Sequence, residues 1–208
     1  MEVEFRQAQP EDAHAVAPLI HASGPAAFDY VFSHRTRMNA LEFLERNFAQ
    51  PHGEFGYRIH TVGVRDGNVV AVGTIYSGRD TPAFFLAAAR QVFSCYGLSQ
   101  GLGVSRRGIQ VERLCRVPTG DLLYISHLGV TPEFRGQGIG RCLIERLLAT
   151  GRPAAKGETI VALDVACNNL RAQALYERMG FETTQELHST LENSTATVPS
   201  YRRMELRL

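Results

Sequence analysis

Residues 132–151, PEFRGQGIGRCLIERLLATG, constrain this chain more than any other stretch. Three glycines, Gly136, Gly138 and Gly140, alternate with other residues, and a helical pattern then runs from about Gly138 to Thr150. The start of a helix leaves about four backbone N–H groups without intrahelical partners. Most helices cap one of them with Ser, Thr, Asp or Asn; this one offers bare backbone. Without Cβ atoms, a ligand can approach those N–H groups closely and the chain can take positive φ. The positive end of the helix dipole adds roughly 0.3–1 kcal/mol for an anion placed there. The stretch predicts a phosphate or pyrophosphate cradle, with Arg135 as a cation at its lip. Two other phosphate motifs fit poorly. A P-loop ends in GK[ST], whereas this chain reads Gly140-Arg141-Cys142. A dinucleotide fingerprint follows its strand directly, whereas Thr131–Phe134 separate Val130 from Arg135 here. The bland alternative is a glycine-rich turn that binds nothing.

The strand feeding this turn is LLYISHLGV (122–130), and a second apolar strand follows the helix at 158–166, ETIVALDVA. Next comes a helix over 168–180, with Asn169 near its start and Gly180 at its stop. Upstream, 3–8 alternates weakly as a first strand, 10–23 reads as a helix opened by Pro10, Glu11 and Asp12, and 36–49 as a second helix. Two β-rich runs within 56–78 flank Asp66-Gly67-Asn68, a hairpin signal. Between 79 and 120 the pattern suggests a helix at 82–97, a Gly/Ser loop at 98–108, and a shorter helix or strand. FETTQELH (181–188) and YRRMELRL (201–208) read as final strands. The order is mixed α/β, with hairpins at both ends and strand–helix–strand–helix in the middle.

The 208 residues suggest one domain spanning 1–208 with an elaboration. The net charge of +1 points to neither nucleic acid nor an anionic membrane. Of 22 basic residues only Lys156 is a lysine, which is read as compositional bias. The four cysteines (95, 115, 142, 167) form no CxxC pair, so neither a metal site nor a disulfide framework is expected. The charged N-terminus lacks a signal-peptide core, and no apolar run is long enough to span a membrane. A soluble, cytoplasmic chain with reduced thiols is expected.

With these residues in hand, the chain resembles the GNAT superfamily of acyl-CoA-dependent N-acetyltransferases. The stretch LGVTPEFRGQGIGRCLIERLL looks like that family's central strand, pyrophosphate turn (Arg135-Gly136-Gln137-Gly138-Ile139-Gly140) and helix. LDVACNNLRAQALYERMGF looks like its second motif: a strand, Asn169, Leu175-Tyr176 and Gly180-Phe181. The resemblance covers 121–182 closely and the rest loosely; residues 79–120 look like an insertion. It implies a mixed, mainly antiparallel sheet whose two central strands splay into a V, flanked by helices. It also implies acetyl-CoA as co-substrate, held by Leu128, Gly129, Val130, residues 135–141 including Arg141, and Asn169, with no metal. The implied reaction is direct acetyl transfer to a primary amine, on a small molecule or a protein, in a ternary complex. A catalytically silent acyl-CoA sensor on the same fold is the alternative, and a homodimer stays open.

Such a transfer needs a neutral amine, donors for a developing oxyanion, and a proton for the leaving thiolate. Tyr176 matches the family's proton donor. Asp164, inside an apolar strand, needs partners and is either a structural hydrogen-bonder or a site residue. The base is open among His127, Ser126, Tyr124, Asp164 and a water relay. His127 has a suitable pKa range. Simple alternation puts it on the face opposite Tyr124 and Ser126, and a bulge would swap those faces. Cys142 is a conceivable acyl carrier, though a small buried hydrophobe is the commoner role. The 79–120 segment carries Arg79, Arg90, Arg106, Arg107, Arg113 and Arg116 against Asp80 and Glu112. It is read either as a solvated face or as a lid favouring an acidic or phosphate-bearing amine. In the aromatic stretch 25–35, Asp29 is a candidate partner for a cationic amine.

Overall fold

The computed structural model describes residues 3–34, 38–151 and 159–208. Its frame is a sheet of seven strands: β1 (Glu4–Gln7), β2 (His60–Arg65), β3 (Asn68–Ser77), β4 (Leu123–Val130), β5 (Ile160–Ala166), β6 (Glu182–Leu187) and β7 (Tyr201–Arg207). They lie in the order β1-β2-β3-β4-β5-β7-β6. Every neighbouring pair is antiparallel except β4 and β5. The β2–β3 hairpin turns at Asp66 and Gly67, whose φ angles of 52° and 78° are the positive pair that suits the right-handed strand twist.

The parallel pair positions the site. β4 and β5 meet only at Leu123–Val161 and Tyr124–Ala162, and beyond Tyr124 they part. On its other side β4 stays paired with β3, but the register shifts between Val72 and Thr74. The extra residue belongs to β4, and His127 takes a φ of 56° to accommodate it. This is a bulge, and it decides which way the strand points. Leu123, Ile125, Leu128 and Val130 pack on one side of the sheet. His127 is turned to the other, against Phe28 and Phe55, on the side that carries Tyr124. Strict alternation fails at this residue.

Among the described residues, six α-helices cover the sheet: α1 (Ala13–Ser23), α2 (Pro25–Phe32), α3 (Ala40–Phe48), α4 (Thr81–Glu112), α5 (Ile139–Gly151) and α6 (Leu170–Arg178). One core joins α1, α2, α3 and α4 to Val62 and Val72 of the sheet, with Phe43 and Phe48 fully buried. A second joins α5 and α6 to the opposite face through Leu143, Ile144, Leu147 and Leu163. α1 lies so close on β4 that a Cβ at Gly129 would run into the Leu19 carbonyl oxygen. No helix among the described residues is long and apolar enough to cross a membrane.

Three expectations need correction. The aromatic stretch 25–35, which the resemblance likens to the loop between the family's first two helices, holds the helix α2 instead, opened by Pro25 at its first position. The helix expected at 36–49 begins at Ala40, where Asn39 and Glu42 form a reciprocal cap; residues 36 and 37 lie outside the described residues, as does Lys156. The Gly/Ser run 98–108 is not a loop. It continues α4 across a kink at Gly97, whose φ of 73° and ψ of 177° break the helix direction. Tertiary contact overrides the weak local propensity: Val104 is buried, and Gly101 leaves room for Phe93, whose ring would meet a Cβ at 2.6 Å.

Candidate active site

Where β4 and β5 part, a cavity of about 670 Å³ opens between them. One end is the glycine turn. Gly136 and Gly138 both take φ of 83°. A Cβ at Gly138 would meet nothing within 4 Å, so open space stands in front of that backbone. α5 begins at the next residue, which points its unpaired N–H groups at the same space. Arg135, Arg141, Arg171 and Arg178 line the cavity. Donors, open space and positive charge suit a pyrophosphate. Beyond Tyr124, β4 has no strand partner on the β5 side, leaving backbone groups free for an amide-bearing ligand. The residues present therefore fit the phosphates and pantetheine arm of coenzyme A.

Most of the sequence candidates converge here. Leu128, Gly129, Val130, Arg135, Gly136, Gly138, Gly140, Arg141 and Asn169 all line the cavity, as do Tyr124, Ser126, His127, Asp164 and Tyr176. Asn169 also caps α6 by accepting from the Ala172 N–H at 3.2 Å. Gln137 and Ile139 are not in the lining. Gln137 accepts from Arg65 Nη1 at 3.1 Å and donates to the Glu133 carbonyl at 3.2 Å, and Ile139 is buried in the α5 core. Their side chains serve the turn's shape. Cys142 is exposed and outside the lining. Asp29 is also outside it, with its carboxylate 3.0 Å from His21 Nε2.

Among the lining carboxylates, Glu54 is not singled out by the sequence, and Glu112 enters there only as a charge of the 79–120 segment. Glu54 sits in the turn between α3 and β2, where no periodicity marks it. Its Oε1 accepts from the Tyr76 hydroxyl at 3.3 Å and lies 4.0 Å from His127 Nε2. Burial, with a smaller contribution from the charge of Glu112, raises its pKa to about 7. Asp164 is raised to about 6, mainly by burial. Its Oδ2 accepts from the Tyr124 hydroxyl at 2.7 Å and from Arg203 at 3.2 Å, while Oδ1 is buried without a partner among the described residues. Burial drives His127 well below its ordinary range, so it is neutral at pH 7. Burial pushes Tyr176 up to about 12, so its hydroxyl keeps its proton.

Charge is segregated along the cavity wall. The arginines come from the glycine turn, α5 and α6. The carboxylates are Glu54, Glu112 and Asp164, set among Phe28, Phe55, Tyr76, Phe84 and Tyr124. None of the six arginines of 79–120 joins the lining. Arg107, for one, donates twice to the Val31 carbonyl, at 3.1 and 2.7 Å. α4 instead contributes Phe84, Phe85, Ala88, Val111 and Glu112, a face that does not suit an acidic or phosphate-bearing amine. No group of three or more candidate metal ligands occurs among the described residues.

Comparison with known proteins agrees with this fold. The family model "Acetyltransferase (GNAT) family" matches residues 26–181. A mycothiol acetyltransferase from Beutenbergia cavernae is 44% identical over 66 residues, which are 32% of this chain and 22% of that protein. The chain thus spans about a fifth of that relative's length. Among solved structures, an N-acetyltransferase from Staphylococcus aureus Mu50 superposes with a TM-score of 0.66 at 19% identity, covering 98% of this chain and 100% of that one. A putative acetyltransferase from Salmonella typhimurium, solved with its cofactor acetyl-CoA, superposes with a TM-score of 0.54 at 15% identity, covering 100% and 95%. At these identities the structures speak to the fold.

Proposed function

Because the chain belongs to the acetyltransferase (GNAT) family and is an acyltransferase, we propose that it transfers an acetyl group from acetyl-CoA to a primary amine by direct attack, both substrates lying in the one cavity. The observation that carries this reading is a junction. A bare-backbone helix mouth, an unpaired strand edge and a carboxylate poised near neutrality all open onto the same space. The chain 1–208 acts as one N-acetyltransferase domain, with α4 as an accessory wall of the acceptor end.

Acetyl-CoA supplies an activated thioester; the chain supplies placement and proton traffic. The N–H groups at the start of α5, with Arg135 and Arg141, hold the pyrophosphate. The free edge at Leu128, Gly129 and Val130 aligns the pantetheine amides, and Asn169 braces the turn beside them. An alkylamine titrates near 10.4, so presenting it neutral at pH 7 costs roughly 4–5 kcal/mol. Glu54 is suited to take that proton at Oε1 as the new bond forms, because a base near neutrality is charged enough to act and basic enough to accept. His127 faces this carboxylate through Nε2, and because burial disfavours its protonated form it orients the proton on Glu54 rather than taking it. Tyr176 acts at the leaving sulfur. With its pKa near 12 against about 8.5 for a thiol, full proton transfer from Tyr176 would be uphill by roughly 5 kcal/mol. It serves as a hydrogen-bond donor that stabilises the departing charge.

The carboxylate and aromatic wall selects a cationic amine with an apolar body over one bearing an acid or phosphate. The test is thiol release from acetyl-CoA across a panel of amines. Turnover of alkyl or arylalkyl amines above that of amino acids and phosphorylated amines supports the reading. Turnover confined to acidic amines would refute the acceptor assignment. No turnover of any amine would refute the activity.

A further inference from the structure

The buried His60 lies outside the cavity lining and plays no part in the mechanism above. Its Nδ1 is 2.8 Å from the Gly56 carbonyl oxygen, and its Nε2 is 3.0 Å from Nδ1 of His127. The two imidazole planes are 8° apart, so the rings meet edge to edge. A carbonyl oxygen only accepts, so Nδ1 of His60 must carry the hydrogen. Burial lowers His60 to about 4, so it is neutral at pH 7 and its Nε2 has only a lone pair. His127 Nδ1 must then donate to it. Since His127 is neutral too, its own Nε2 is left as an acceptor, facing Glu54 Oε1 at 4.0 Å. One backbone carbonyl therefore fixes two tautomers in series. Phe48 stands 5.1 Å from the His60 ring, and Phe55 stacks on His127 at 5.4 Å and 20°, so neither ring turns freely.

We propose that His60 is a positioning residue which, held by the Gly56 carbonyl, locks His127 as its Nδ1–H tautomer and thereby sets how strongly Glu54 binds a proton. The proposal rests on the reading that Glu54 receives the amine proton. A lone pair facing Glu54 gives its carboxylate no donor but offers its protonated form an acceptor, either after a small rotation or through one water. Both effects favour the protonated form and strengthen the base. The opposite tautomer would aim an N–H at the carboxylate and weaken it. The other groups facing Glu54 are Tyr76 from β3, which donates to it, Glu112 from α4, whose charge favours its protonation, and Cys115, just beyond α4. None of these changes when His60 is replaced.

Nitrogen NMR of the histidine rings in the wild-type protein tests the lock directly. His127 should show a protonated Nδ1 and an unprotonated Nε2 across pH 6–8, and the reverse assignment overturns the proposal. His60→Leu removes the acceptor and frees His127 to present Nε2–H. The acid limb of the kcat profile should then move down by roughly one pH unit, and kcat on the plateau should fall roughly tenfold. His60→Gln offers a donor and an acceptor again and should restore both. If His60→Leu folds with an unmoved acid limb and an unchanged His127 tautomer, His60 is only a packing residue. Should both variants fail to fold, the wild-type spectrum still decides. Glu54→Gln separates the two readings: an acid limb that survives in it refutes Glu54 as the base while leaving the tautomer measurement to stand alone.

Discussion

At the residue scale, the site combines groups legible in the sequence with groups that are not. The glycines stand out by their own pattern, whereas Tyr176 and Asn169 stand out only through the resemblance of their motif to that of the acetyltransferase family. Replacing Tyr176 by Phe keeps the ring that packs 6.1 Å from Phe181 and removes only the hydroxyl. The expected outcome is a fall in kcat of about 10²-fold, with acetyl-CoA affinity within about twofold of wild type. Steady-state rates together with a calorimetric titration check it; an unchanged kcat with chemistry rate-limiting leaves Tyr176 a packing residue. Glu54 is invisible in the sequence because its proposed role comes from its place beside Tyr76 in the cavity wall, and a half-buried turn residue has no periodic signature. Its folded pKa near 7 lies above the ordinary value of 4.5, so the folded state binds the proton more tightly than the unfolded chain does. By linkage, Glu54 makes stability fall as pH rises from about 4.5 to about 7, whereas the proposed base role needs its charged form. Denaturation of Glu54→Gln across that window should show a flatter pH dependence than wild type. A parallel slope in the two proteins would mean that Glu54 titrates normally.

At the scale of elements, patterning foretells β4 and β5 as short apolar runs and α5 and α6 by their helical spacing. It fails where two local signals conflict. In α4, glycines and serines argue for a loop, yet Tyr96 donates to the Phe32 carbonyl and Val104 fills the core, so packing on α2 holds the segment helical. At His127 a single inserted residue reverses a face, and the alternation rule has no means of foreseeing where a bulge falls. The α5 mouth gives the sharpest test at this scale. At Gly138, a Cβ meets nothing within 4 Å, but Val must adopt a φ of 83° there. That strain costs roughly 1–3 kcal/mol, which a chain of this size tolerates. Gly138→Val should therefore stay folded by circular dichroism and lose coenzyme A binding by 100-fold or more, a cost of about 2.7 kcal/mol. Tight binding by the folded variant would make this helix mouth a mere turn.

At the scale of the whole molecule, a ligand spanning the helix mouth and the open strand edge should couple affinity to global stability. Acetyl-CoA at 100 times its Kd should stabilise the fold by about 2.7 kcal/mol, whereas ATP and NAD at the same concentration should leave thermal unfolding unchanged. Equal shifts from ATP would mean that the site recognises phosphates alone. The parting of β4 and β5 has a mechanical side as well. Strands β1 to β4 form one leaf and β5 to β7 another, and within the sheet the leaves are stitched by the Leu123–Val161 and Tyr124–Ala162 pairs. Tyr124, at the last stitch, is also tied by its hydroxyl to Asp164 on the far leaf, and Arg203 reaches the same carboxylate from β7. The sheet is thus a book bound at one end of its spine. Filling the gap between its pages adds the missing binding, so the cargo becomes part of the stitching while it is held. Once the cargo leaves, the pages are again held within the sheet by that short seam alone, with the core under α5 and α6 as the binding behind it.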